Sequence, residues 1–68
     1  MDIIASRIKE IRKDNNLSQE QFGKIISVSQ DNVSLWENGK SVPGAQHVIA
    51  IAKAFNVTSD YILGLSDF

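Results

Sequence analysis

Apolar residues recur at helical spacing along almost the whole chain, and short clusters of Asn, Ser, Thr and Gly interrupt them. Ile4, Ile8 and Ile11 fall on one stripe, so the spacing predicts an amphipathic helix over roughly Asp2 to Asp14, ended by Asn15-Asn16. Ser18 with Gln21 three residues on is a capping-box pattern, and it opens a second helix whose buried side is Phe22 and Ile26. Ser27-Val28 reads as a tight turn, and Ser29 caps a third helix that runs to about Asn38 and stops at Gly39. Pro43-Gly44 precedes a fourth helix in which Val48, Ile51, Ala52 and Phe55 share one face, with Asn56 suited to a left-handed end. Thr58 caps a last short helix, Asp60 complements the dipole in its first turn, and Gly64 ends it. No segment alternates like a half-buried strand for more than a few residues. The expected fold is all-α, a compact bundle of five helices in one domain spanning residues 1–68.

The third helix differs from the others in what it leaves for water. With successive residues about 100° apart and Val33 at the centre of the buried side, Trp36 lies about 60° to one side and Glu37 about 40° to the other. The opposite face then carries Asp31, Ser34, Leu35 and Asn38, with Gln30 at its leading edge. These side chains are short, mostly polar and free of Lys or Arg. Gln and Asn pair bidentately with adenine, Asp accepts from the cytosine amino group, and an apolar side chain packs on the thymine methyl. Gln30, Asp31, Ser34 and Leu35 are therefore the candidate base-reading residues. Capping and dipole effects account for Asp31 equally well, and Ser34 and Asn38 also fit a simple solvated face.

Two flanking segments suit a nucleic-acid backbone. Gln19 begins the second helix, where outward-pointing amides attract a phosphate. Ser29 begins the third helix, and after it Asn38, Lys40 and Ser41 offer donors and one cation. Gln19, Ser29, Asn38, Lys40 and Ser41 are the candidate phosphate contacts, with ordinary helix-start polarity and a solvated loop as the competing readings. Glu37 makes a separate demand. Its angle places a carboxylate on the buried side, and a buried charge needs a partner. Arg12, about 80° from the Ile4 stripe at the core edge, is the candidate, and the pair would fix helix 3 against helix 1.

Composition narrows the chemistry. A formal net charge of −1 and a pI of about 5.6 count against strong non-specific affinity for nucleic acid, which comes from neutralised phosphates. Cysteine is absent, which excludes disulfides and thiolate metal sites. His47 is a lone histidine that flanks the apolar side of helix 4, so neither a metal site, a cofactor nor a catalytic group is expected, and the chain is not read as an enzyme. The longest mainly apolar run, Val48 to Phe55, contains Lys53 and is too short to cross a bilayer. The N-terminus lacks the pattern of a signal peptide. These readings imply a cytoplasmic protein with no membrane and no small-molecule substrate.

The motifs LSQEQF, VSQDNVSLWENGK and VIAIAKAFNVTSDYIL, with a proline four residues after Gly39, cover about Ile8 to Leu63. In these the chain resembles the Cro/C1-type helix-turn-helix (XRE) family of phage and bacterial repressors. The resemblance implies a lambda-repressor-like domain with its helix-turn-helix unit at about residues 18–38. It implies a sequence-specific transcriptional regulator, most often a repressor, that binds double-stranded operator DNA as a two-fold symmetric pair. It further implies Gln19 as a phosphate and base-edge contact, Gln30, Asp31 and Leu35 as base-reading positions, and Arg12–Glu37 as an inter-helix ion pair. The chain departs from the family pattern where Gly23 replaces a frequent Ala and Ser27 a frequent Gly. Gly23 keeps the helices close, and Ser27 must take the left-handed geometry of the turn at a cost of about 1–2 kcal/mol. Asp31 is a third departure, because an acid repels phosphate unless it meets a cytosine.

Some alternatives stay open at this level. The near-neutral charge and the apolar Ile25, Leu65 and Phe68 also suit a protein-binding module, such as the antitoxin of a toxin–antitoxin pair. Ile62 and Leu63 are expected to close the core against helix 1, whereas Leu65 and Phe68 fit either closure or a dimer contact. A domain this small offers too little interface for a tight dimer, so a homodimer is expected at least on DNA. The 68 residues equally fit the N-terminal piece of a longer repressor.

Overall fold

A left-handed residue ends every helix, and this repeated stop sets the course of the chain. The computed structural model describes residues 2–68 and places five helices: α1 (Ile3–Asp14), α2 (Gln19–Ile26), α3 (Gln30–Glu37), α4 (Ala45–Phe55) and α5 (Ser59–Leu63). Asn16, Ser27, Gly39, Asn56 and Gly64 all have positive φ. In each case the next amide bonds the carbonyl five residues back: Leu17 to Arg12, Val28 to Gly23, Lys40 to Leu35, Val57 to Ala52 and Leu65 to Asp60. This is the Schellman arrangement, which satisfies carbonyls that a helix end would otherwise orphan.

At three of the connections the sequence of events is the same. A left-handed residue is followed by an apolar one and then by a hydroxyl cap: Asn16-Leu17-Ser18, Ser27-Val28-Ser29 and Asn56-Val57-Thr58. Leu17, Val28 and Val57 pack against the core, so each joint is pinned by burial as well as by hydrogen bonds. Helices of eight residues are too short to persist alone in water. Here the joints and the core hold them.

The core consists of Ile8, Ile11, Phe22, Ile26, Val33, Trp36, Val48, Ile51 and Ile62. Phe55 stacks on Phe22 with ring centroids 5.1 Å apart, joining α4 to α2. His47 is half-buried, its ring 5.2 Å from that of Trp36, as suits a boundary residue. On the outer side of α1, the Arg7 guanidinium lies 4.0 Å above the Tyr61 ring and donates to the Ser66 carbonyl. The Tyr61 hydroxyl donates to Glu10 at 2.5 Å, and this bond, more than burial, raises the Tyr61 pKa. These contacts seat α5 on α1.

Two expectations need correction. Leu63 does not close the core; it is 38% exposed, because the five-residue α5 has room to bury only Ile62. Asp2 is not the first helical residue but the cap of α1, its carboxylate accepting from the Ala5 amide. Leu65 and Phe68 are largely exposed and close nothing.

The expected ion pair is present. Arg12 Nε and Nη2 donate to Glu37 Oε2 and Oε1 at 2.7 and 3.0 Å, with side chains 14% and 4% exposed. Arg12 Nη1 also donates to the Leu17 carbonyl at 2.9 Å, so the guanidinium joins α1, the first joint and α3. The hydrogen bond to Glu37 raises the Arg12 pKa further above its ordinary value, so the cation persists at every accessible pH. The α2–α3 turn is as tight as the sequence requires. Ser27 sits at φ 62°, and a Cβ on Gly23 would lie 2.5 Å from the Val28 carbonyl oxygen.

Arg12→Met should destabilise the domain by about 3–5 kcal/mol, since it strands the Glu37 carboxylate. Arg12→Met with Glu37→Leu should recover most of that loss, and urea unfolding of the single and double variants measures both. Ser27→Gly should raise stability by about 1 kcal/mol by relieving the left-handed strain. Thermal unfolding should then show a Tm increase of roughly 4–8 °C.

Candidate nucleic-acid interface

α3 is held from beneath and bare on top. Val33 and Trp36 are buried, and Glu37 is clamped by Arg12, so three side chains on the inner side fix the helix in rotation and height. The first turn is capped by Ser29, whose hydroxyl accepts from the Asn32 amide at 3.3 Å. With the cap supplied by Ser29, the local role left to Asp31 is that of an acid complementing the helix dipole in the first turn. Among the described residues its side chain makes no hydrogen bond and no ion pair. Gln30 and Asp31 are exposed at the leading end of the helix, and Leu35, 40% exposed, follows one turn later.

Ser34 and Asn38 behave differently. Ser34 is half-buried, and its hydroxyl accepts from Asn38 Nδ2 at 3.3 Å. The two are thus joined along one edge of the face. Asn32 is exposed on the opposite edge. It lies about 100° from Val33, as Ser34 does on the other side, and equal weight to both flanks would have placed it among the candidates.

The flanks are built from side chains more than from backbone. After α3 the Gly39 and Lys40 amides turn back to the Trp36 and Leu35 carbonyls at 3.2 and 2.9 Å, and the Ser41 amide to Leu35 at 3.4 Å. The loop therefore presents Asn38, Lys40 and Ser41 through their side chains, all of them exposed. Gly39 at φ 71° suits this bend, and the Asp2 carboxylate rests against it, 3.3 Å from where a Cβ would lie. Asp2 was not foreseen at the loop, because its proximity depends on how α1 crosses α3.

Gln19 is half-buried at the start of α2 and donates from Nε2 to Glu37 Oε1 at 3.3 Å. Its amide nitrogen has two hydrogens, and the bond to Glu37 uses one. The Gln21 amide is taken by Ser18 Oγ and the Ser18 amide by Gln21 Oε1, which completes the capping box. The amides of Gln19 and Glu20 precede the first intrahelical bond and face outward. Base-edge, cap and loop candidates thus lie on and around α3, and Gln19 is tied to them through Glu37.

Comparison with known proteins places this arrangement. A helix-turn-helix family model matches residues 8–62. The chain is 37% identical over 57 residues to the HTH-type transcriptional activator BcrR of Enterococcus faecalis, covering 84% of this chain and 28% of that protein. It is 34% identical over 62 residues to the antitoxin PezA of Streptococcus pneumoniae, covering 91% of this chain and 39% of PezA. With repressor protein C2 of Salmonella phage P22 it shares 31% identity over 61 residues, 90% of this chain and 28% of the repressor. The chain thus spans well under half the length of each of these relatives. A crystal structure of the P22 c2 repressor in complex with synthetic operator 9T in the presence of Tl+ superposes with a TM-score of 0.88 at 29% identity, covering 97% of this chain and 100% of that one. Fold, motif and sequence together show that the chain belongs to the helix-turn-helix family, of the Cro/C1 (XRE) type that its motifs resemble.

Proposed function

We propose that this domain is a sequence-specific DNA-binding transcriptional regulator, a repressor, that inserts α3 into the major groove of operator DNA. The observation that carries this reading is the division of α3. Its inner side is immobilised by Val33, Trp36 and the Arg12–Glu37 pair, while the side chains of Gln30 and Asp31 make no hydrogen bond or ion pair among the described residues and, with Leu35, are exposed. A helix so presented reads base edges with its N-terminal residues. Ser34 completes the reading set, its hydroxyl held toward Asn38. Gln19, Ser29, Asn38, Lys40 and Ser41 contact the sugar–phosphate backbone and set the register. The fold shared with an operator-bound repressor supports this role.

The domain works as a pair on a two-fold symmetric site. Its Cα atoms extend 27 × 24 × 22 Å, whereas adjacent half-sites lie about 34–36 Å apart, so two copies on one face of the duplex meet only at their edges. An edge contact is too small for a tight dimer in solution, and DNA supplies the proximity. The alternative of an antitoxin draws support from the similarity to PezA. It assigns no task to an outward face of Gln30, Asp31 and Leu35, and the DNA-binding reading does. Selection of bound duplexes from a random pool tests the proposal, together with binding at several salt concentrations. A regulator enriches one sequence and loses affinity linearly in log–log form with salt, and a protein-binding module does neither.

Gln30→Ala should relax the preference at one operator base pair and cost about 1–3 kcal/mol there, with little change elsewhere. Competition binding to a set of single-base operator variants measures this. Lys40→Ala should weaken binding to all sequences alike and lower the salt slope by about one. A salt titration of the variant beside the parent gives that slope.

A further inference from the structure

We infer that Asp31 is a specificity residue that acts by exclusion: it admits a base bearing a major-groove amino group and penalises every other register of the domain on DNA. The inference rests on the proposed reading of DNA by α3. Asp31 is exposed in the first turn of that helix, and the capping work an acid commonly does there is done by Ser29. Among the described residues no cation neutralises it, for the ion pairs are Arg7–Asp67 and Arg12–Glu37. A carboxylate offers acceptors alone. In the major groove the hydrogen-bond donors are the amino groups of cytosine and adenine, while guanine N7 and O6 and thymine O4 are acceptors that repel it. Asp31 therefore faces cytosine or adenine in the productive complex.

Leu35 narrows the site further. It lies four residues on, about 6 Å along the helix axis and on the same face, and it gives an apolar surface suited to the thymine methyl. An amino-bearing base and a thymine methyl within about two base-pair steps form the pattern that this pair admits. α3 carries no Lys or Arg, so no cation on the helix offsets the acid when the register is wrong. In a non-specific complex the same carboxylate stands near phosphates and acceptor edges and weakens binding. Specificity then comes partly from a penalty on the wrong sites, which complements a chain of net charge −1.

The test compares the parent with Asp31→Asn and Asp31→Ala on two duplexes of equal length, one enriched from a random pool by the parent and one of unselected mixed sequence. Asp31→Asn, which removes the charge and keeps the shape, should bind the mixed-sequence duplex about threefold more tightly. Asp31→Ala should lose about tenfold in its preference for cytosine or adenine at one position. Since Asp31 is exposed, both variants should keep the parent's far-UV spectrum, with melting lowered by no more than a few degrees through loss of the acid from the first turn of α3. A ratio of selected to unselected affinity within twofold of the parent in both variants overturns the inference. So does a parent selection that enriches no cytosine or adenine whose preference depends on residue 31. If the parent enriches no sequence and shows no salt dependence, the regulator reading itself fails. If it enriches a sequence while the ratio stays unmoved, only the role of Asp31 fails.

Discussion

The Arg12–Glu37 ion pair carries the constraint on which the exposed face of α3 depends. A carboxylate on the inner side of a short helix has to be neutralised where water is nearly excluded, and a planar guanidinium does so with two parallel hydrogen bonds. The same guanidinium holds the Leu17 carbonyl, and the carboxylate holds the Gln19 amide. One charged contact therefore fixes α1, the first joint, the start of α2 and the end of α3 relative to one another. Apolar packing of Val33 and Trp36 resists separation of the helices but allows some rotation. The bidentate pair restricts rotation as well, and rotation decides which side chains point outward.

The joints apply a second constraint at lower cost. A left-handed stop, an apolar residue and a hydroxyl cap occupy three positions and turn the chain sharply enough for eight-residue helices to pack. At the α2–α3 joint the two unusual residues answer different needs. Gly23 clears space for the Val28 carbonyl, which would have to shift to admit a methyl group, whereas Ser27 bears backbone strain that a glycine would not. The close approach of α2 and α3 thus depends on the absence of a side chain at one position and tolerates an imperfect residue at the other.

Charge is distributed by the same economy. Arg12 serves the interior and Arg7 the α1–α5 seam, and Lys40 stands in the loop that follows α3. In the proposed complex the domain gains little from bulk attraction to phosphate, so contacts of α3 with base edges have to supply a large share of the affinity. Under that reading an acid at the tip of α3 is consistent with the rest of the surface.

Helix positions, caps and stops were legible in the chain itself because each is decided within about five residues. Ser18 with Gln21, Ser29, Asn56 and Thr58 announce their roles to immediate neighbours, and helical spacing separates Val33 and Trp36 from Gln30, Asp31 and Leu35. Even the Arg12–Glu37 pair could be inferred, since a carboxylate on a buried angle requires a cation and helix 1 offers one at its core edge. What the tertiary structure alone decided are contacts between segments far apart in the chain. Gln19 binds Glu37, Asp2 rests on Gly39, Tyr61 reaches Glu10, and Leu63 is left in water where Ile62 is not. Periodicity tells which side of a helix is apolar, but only the crossing of helices determines how far that side is covered and which distant polar group arrives beside it.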